Sequence, residues 1–202
     1  MSAISAFPTE APIVNAFTQE ELSWTPWLEP LAESELTDRH RAGLVDASRA
    51  KSPYFMLLAH DPEVLEARTR ADKDIFYNPV GGLPRAEREL SATATSRHNG
   101  CIFCASVHSR FASSHSKRHE DVQRLLDEGT GADLGERWNA VTAAAVALSD
   151  TPVSFDEAEI ARLRAAGLSD FEIVDVVSTS AFFNWANRLM LSLGEPVAPK
   201  AS

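Results

Sequence analysis

The sequence predicts an all-α protein, and three observations carry that expectation. Apolar residues recur at helical spacing from "SELTDRHRAGLVDAS" onward, and the breaks between the runs hold Gly, Pro and Asn. Alternating strand-like runs are almost absent, since "VVSTSAFF" lies inside a helical pattern. With 202 residues, 44% of them hydrophobic, the chain has apolar mass for one compact domain.

Residues 1–30 read as an extended arm. Pro8, Pro12, Pro26 and Pro30 interrupt regular structure, while Trp24 and Trp27 are expected to dock on the core or on a partner subunit. Residues 31–202 form the single helical domain. Ser34 is the expected first cap, Pro53 falls near a helix start and Pro62 at a break, giving two or three helices before "NPVGGLP", the clearest loop. "RAERELSATATSR" follows as a helix whose small residues suit close packing, ended by Asn99-Gly100. The next helix is expected to open at or near Cys101 and run through "CIFCASVHSRFASSHSKR", with "EDVQRLLDEGTG" as a short helix stopped by Gly129 and Gly131. Three more helices are expected from "LGERWNAVTAAAVALSD", "SFDEAEIARLRAAG" and "SDFEIVDVVSTSAFFNWANRLMLSLG". Ser154 to Glu157 and Ser169 to Glu172 both have capping-box spacing.

Composition narrows the function. Nineteen basic residues against 29 acidic ones give a formal charge of -10, a field that repels phosphate backbones and anionic lipid headgroups, so neither nucleic acid nor membrane is an expected partner. The N-terminal "MSAISAFPTEAPIVNAF" has no Lys or Arg before its apolar residues and is broken by Pro8, Glu10 and Pro12, unlike a signal peptide. No run reaches spanning length, and a cytoplasmic location is expected. In a reducing compartment two cysteines separated by two residues are a poor structural staple, so the pair invites a chemical explanation.

If Cys101 opens a helix, Cys104 at i+3 and His108 four residues further lie along one face. Both an imidazole and the unpaired N–H groups of a helix N-terminus favour a thiolate, which is the reactive form of cysteine. Thiols at i and i+3 are also close enough for a disulfide, so a sulfenic acid on one can be resolved by the other. Glu89, on the preceding helix, can return to His108 if the two helices form an antiparallel hairpin. The helix end by itself favours Cys101 over Cys104 as the thiolate.

The pattern Glu89, "CIFC" at 101–104 and His108 resembles that of the alkylhydroperoxidase D-like (AhpD-like) proteins, which share the carboxymuconolactone decarboxylase fold. The likeness extends to "LLAHDPEVLEA", "SRHNGCIFCASVH", "LRAAGLSDFEIVDVV" and "FFNWANRL", covers most of residues 35–195, and is nearest the peroxidase-related branch. It implies an AhpD-like helical protomer assembling into dimers, trimers or hexamers, with the Cys-x-x-Cys at a helix N-terminus. It also implies that Cys104 is peroxidatic, Cys101 resolving, His108 the group that activates Cys104, and Glu89 part of a proton relay. The implied activity is a thiol-dependent peroxidase acting on hydrogen peroxide or organic hydroperoxides without metal or other cofactor. A dithiol, on a lipoyl carrier or a thioredoxin-like protein, would reset it. Phe103 stands where founding members have a second histidine.

Other readings compete. The pair also suits a disulfide exchange protein with little peroxide turnover, or a non-enzymatic redox sensor. A zinc site is disfavoured because one Cys pair without a second is half a site, and His115 and His119 read as solvated. His98 reads as a cap on helix-end carbonyls, and Glu89 taken alone with Arg85 and Arg88 would be a wet helix face. Trp138, Phe182, Phe183 and Trp185 read as core or interface, and Asn184, Asn187 and Arg188 as a polar cluster closing a helix pair. His40 and His60 receive no role.

Overall fold

The structure is a computed structural model and describes residues 11–199. In chain order it contains β1 (Ser23–Pro26), α1 (Asp38–Leu44), α2 (Pro53–Leu58), α3 (Pro62–Tyr77), α4 (Arg85–His98) and α5 (Ile102–Ser116), then α6 (His119–Glu128), α7 (Glu136–Ser149), α8 (Glu157–Ala165), α9 (Asp170–Leu193) and β2 (Gly194–Val197). Short 3-10 turns at Glu33–Glu35 and Ala47–Lys51 flank α1. The helical architecture is the predicted one.

The centre of the molecule is α4. Every residue from Glu87 to Ser96 is buried, and Ser91, Ala92, Thr93, Ala94, Thr95 and Ser96 are small enough to let α5, α7 and α9 approach closely. Three hydroxyls on this helix have acceptors at hand: Thr93 Oγ1 donates to Glu89 O at 2.7 Å, Ser96 Oγ to Ala92 O at 2.7 Å, and Ser91 Oγ pairs with Ser180 Oγ at 2.8 Å. The main apolar core joins Leu90 and Ala94 of α4 to Val122 and Leu125 of α6, Trp138 and Val141 of α7, and Ile173 and Val176 of α9.

Local signals account for most boundaries. Pro53 and Pro62 each open a helix at its first position, and Ser169 and Glu172 form the reciprocal capping box on α9. Two caps differ from the sequence reading. Thr37 rather than Ser34 caps α1, accepting from the His40 N–H, because Ser34 falls inside the 3-10 turn. Asp156 rather than Ser154 caps α8; its carboxylate reaches the Ala158 N–H, while the Ser154 hydroxyl donates to Asp150. Gly135, which lacks a side chain to cap with, precedes α7, and α5 ends at Ser116 with Lys117 in the left-handed conformation.

The sheet was not anticipated. Four residues of each strand pair antiparallel, Trp24 opposite Pro196 and Pro26 opposite Gly194, and a bridge from Ile13 to Val197 extends the contact. Neither strand has an alternating apolar pattern long enough to signal itself, and both contain proline. A Cβ on Gly194 would collide with the Thr25 carbonyl and the Trp24 ring, so glycine permits the close crossing. The described part of the arm thus lies on its own chain. Trp24 is buried against Tyr54, edge-on at 5.6 Å, whereas Trp27 is 43% exposed and donates its indole N–H to Glu195. Residues 1–10, with the Pro8 and Glu10 that argued against export, lie outside the described residues.

Candidate active site

The hairpin of α4 and α5 builds the site. After α4, Asn99 and a left-handed Gly100 (φ 79°) reverse the chain, and the Cys101 N–H returns to Ser96 O at 2.9 Å. Cys101 is therefore the N-cap of α5, as the spacing predicts, and Cys104 sits in the first turn. Both cysteines are buried and unlinked. Around them close Trp24, Tyr54, Leu57 and Met190, with Phe103 packed alongside.

The two thiols interact directly, and they are not equivalent. A hydrogen bond from the Cys104 thiol is the main cause that lowers the pKa of Cys101 below the ordinary thiol value; the Cys104 backbone N–H and Asn187 add to it, and burial opposes it. The same hydrogen bond holds the Cys104 thiol well above that value, with burial and the charge on Cys101 adding to the effect. The pair therefore loses its first proton from Cys101 and holds the second on Cys104. The helix end and the contact between the thiols agree in favouring ionisation of Cys101 over Cys104.

Glu89 is fully buried, so the wet-face reading does not hold. Its Oε2 lies 2.6 Å from His108 Nδ1, and its Oε1 accepts from Arg85 Nε at 2.6 Å. A carboxylate held by a guanidinium on one side fixes Nδ1 of His108 as the donor and leaves Nε2 free to exchange a proton. The ring is clamped by Phe76, stacked at 5.1 Å, and by Phe183, edge-on at 4.3 Å. Among the described residues His108 makes no hydrogen bond to either sulfur; helical spacing places it one turn beyond Cys104.

Asn187, expected in a polar cluster closing a helix pair, does so beside the cysteines, and Arg68 and Tyr54 are contributors that the sequence reading did not name. Asn187 is fully buried on α9, donates to Ser96 Oγ at 3.0 Å and accepts from Asn99 Nδ2 at 3.1 Å, which ties the α4–α5 turn to α9 beside the cysteines. Its companion Asn184 is half-buried and accepts from Asn99 Nδ2 at 3.1 Å and from the exposed Arg188 Nε at 3.4 Å, so the expected cluster forms with Asn99 as a further member. Arg68 is only 8% exposed and Tyr54 6%, both near Cys104. The signal for Arg68 was an arginine on the same helical stripe as Leu65 and Thr69. Arg88, also buried, holds the end of α3 and the loop after it through the carbonyls of Ile75, Gly81 and Leu83 and through Asp175. His98 meets Asp150 at 3.1 Å rather than helix-end carbonyls, because Asp150 at the end of α7 comes beside it. His115 and His119 are exposed, and among the described residues no group of three His, Cys, Asp or Glu side chains is arranged to hold a metal. Two surface hollows, of about 390 and 460 Å³, are lined by Glu136, Asn139 and Arg162 and by Val45, Lys73 and Tyr77, away from the cysteines.

Comparison with known proteins follows this geometry. Residues 62–147 match the carboxymuconolactone decarboxylase family, and no curated protein matches the chain. An uncharacterized peroxidase-related protein from Ralstonia eutropha JMP134, with an alkylhydroperoxidase AhpD core, is 25% identical over 79% of this chain and 85% of its own, with a TM-score of 0.67. Another from Silicibacter sp. TM1040 is 23% identical over 85% and 91%, with a TM-score of 0.70. The debrominase Bmp8 has the same fold at 19% identity, over 81% of this chain and 88% of its own, with a TM-score of 0.65. The matched region, α3 through most of α7, carries Glu89, both cysteines and His108; over it the chain is similar to the carboxymuconolactone decarboxylase family, and the fold is the AhpD-like one.

Proposed function

We propose that the protein is a thiol-dependent peroxidase that reduces hydrogen peroxide or organic hydroperoxides through a Cys101–Cys104 redox disulfide. The observation that carries this reading is the pair of unlinked, buried thiols at the start of α5, with the Glu89–His108 couple one turn further on. His108 Nε2 takes the proton of Cys104 and so makes Cys104 the thiolate. Its sulfur attacks the terminal peroxide oxygen; the S–O bond forms, the O–O bond breaks, and the departing alkoxide or hydroxide takes a proton from His108. The Cys101 thiol then attacks the sulfenic sulfur, releasing water and closing the disulfide.

Cys104 is thereby peroxidatic, Cys101 resolving, His108 the group that activates Cys104 and passes its proton on, and Glu89 the relay partner that orients His108. An external dithiol, from a lipoyl carrier or a thioredoxin-like protein, returns both thiols and leaves as its own disulfide. A cytoplasmic setting suits this cycle because a reducing compartment regenerates the dithiol. Assembly into a homo-oligomer is supported by Phe171 and Val174, successive apolar side chains on α9 that are 53% and 59% exposed. The test is rapid mixing of the reduced protein with each peroxide, scoring thiol loss.

A second reading rests on the lowered pKa of Cys101. A thiolate at the N-cap with a buried partner three residues on is the arrangement of a disulfide exchange protein. It expects slow peroxide oxidation together with fast reduction of a small disulfide by Cys101.

A further inference from the structure

Beside the cysteines lies a set of buried donors with no acceptor. Among the described residues, Tyr54 Oη on α2 and Arg68 Nε and Nη1 on α3 are shielded from solvent yet make no hydrogen bond. Buried polar atoms of native proteins nearly always find partners, so adjacent orphans mark either strain or a place held for something else. Arg68 is wedged among rings, with its guanidinium carbon 5.8 Å from the centre of Tyr54, 5.3 Å from Phe55 and 5.2 Å from Phe182. Its one ionic neighbour is Asp72, at 3.6 Å from Nη1 and shared with Arg49 at 3.9 Å. That charge offsets the guanidinium from the helix side without occupying its donors.

The position is specific. Tyr54 belongs to the same packed cluster as Cys101 and Cys104, and Phe182, against Arg68, also packs on Phe183, which touches the His108 ring. Arg68 is therefore linked through Tyr54 to the cysteine cluster and through Phe182 and Phe183 to the His108 ring. The positive charge of Arg68 also opposes the high pKa of Cys104, and burial pushes the Tyr54 hydroxyl up to about 12, so at neutral pH it keeps its proton and can donate it to a hydrogen bond.

We propose that Tyr54 and Arg68 form the oxygen-binding site of the peroxide, with their free donors directed at the two oxygens as Cys104 attacks. This inference rests on the peroxidase reading and adds the residues that would hold its substrate. In the ground state the donors hold the hydroperoxide through its two oxygens, which accept hydrogen bonds. As the O–O bond breaks, the electron pair moves onto the departing oxygen, where the Arg68 charge and the Tyr54 O–H stabilise it until His108 supplies the proton. Neither residue gains or loses a proton. The site takes the peroxide head of any small hydroperoxide and makes no demand on its tail.

Tyr54→Phe removes only the orphan hydroxyl and keeps the ring against Trp24, and Arg68→Lys keeps the charge while removing Nε and the planar fork. Both variants and the unaltered protein are mixed with hydrogen peroxide and with cumene hydroperoxide, and in parallel alkylated with iodoacetamide across pH. Expected is a loss of at least tenfold in the oxidation rate constant of each variant, with alkylation rates unchanged at the high-pH plateau. Tyr54→Phe should also melt at or above the temperature of the unaltered protein, because a hydroxyl that is unsatisfied in the fold has been removed. If the unaltered protein oxidises fast and both variants keep pace, the oxygen site is refuted while the peroxidase reading stands. If oxidation and alkylation fall together, the residues act only on thiol ionisation and the proposal is overturned. If the unaltered protein oxidises no faster than a free thiol, the peroxidase reading fails and takes this site with it.

Discussion

Glu89 has two basic partners and no contact with water, which makes it the residue whose loss should be felt most sharply. Glu89→Gln keeps the volume but replaces a charge-assisted pair by a neutral amide, so a stability loss of about 1.5–3 kcal/mol is expected in chemical denaturation. The peroxide reaction should slow by roughly 10²-fold or more, because His108 loses the group that fixes its tautomer. An unchanged rate would remove Glu89 from the relay. The thiols give a second test at this scale. Cys101 is held low mainly by the Cys104 hydrogen bond, so its alkylation should rise with pH at a midpoint below the ordinary thiol range, and Cys104→Ala should move that midpoint upward. A midpoint that does not move would place the cause elsewhere.

Residues differ in how readily the sequence announces them. The Cys-x-x-Cys and His108 could be read because all three lie on one helix, where separation in sequence fixes separation in space. Glu89 needed the resemblance, since nothing local distinguishes it from Arg85 and Arg88 on the same helix. Tyr54, Arg68 and Asn187 reach the site from α2, α3 and α9, and the packing that brings them together is not encoded in any spacing.

At the level of elements, the site depends on two close approaches. The small face of α4 lets α5 and α9 meet across it, and Ala94, fully buried in the main core, has no room for a larger side chain. Ala94→Leu should cost about 1–3 kcal/mol by overpacking, read as a lower denaturation midpoint with an unchanged slope. The second approach is the β1–β2 crossing. Gly194→Ala pushes the new methyl into Trp24 and the Thr25 carbonyl, so it should part the strands and expose the cysteine cluster that Trp24 covers. Accessible thiols titrated with a maleimide should rise in that variant, and no rise would show that Trp24 does not shield the pair.

The helices were legible because their periodicity, prolines and caps agree. The two caps that moved, from Ser34 to Thr37 and from Ser154 to Asp156, are competitions between neighbouring oxygens that helix phase decides. The sheet was invisible for a different reason: its strands are 168 residues apart at the Trp27–Glu195 hydrogen bond that flanks it, short, and interrupted by proline. Long-range pairing leaves no local trace.

Over the whole molecule, the long acidic chain wraps one reactive corner. Trp24 of β1 and the end of α9 lie over the cysteines, α4 and α5 present them, and α9 closes the back through Asn187. Among the described residues no helix is long and apolar enough to cross a membrane. The exposed Phe171 and Val174 give the assembly proposal its test: replacement of both by Glu should reduce the particle mass seen by light scattering if this face joins copies of the chain, and leave it unchanged if not.

The central claim is that Cys104 reduces peroxide and Cys101 closes the disulfide, and stopped-flow oxidation of the reduced protein by hydrogen peroxide tests it most directly, with free thiols and intact mass read at the end. The account predicts fast loss of both thiols with loss of two hydrogen atoms in mass, abolished in Cys104→Ser. Oxidation as slow as that of a free thiol, or equally fast in Cys104→Ser, would contradict it.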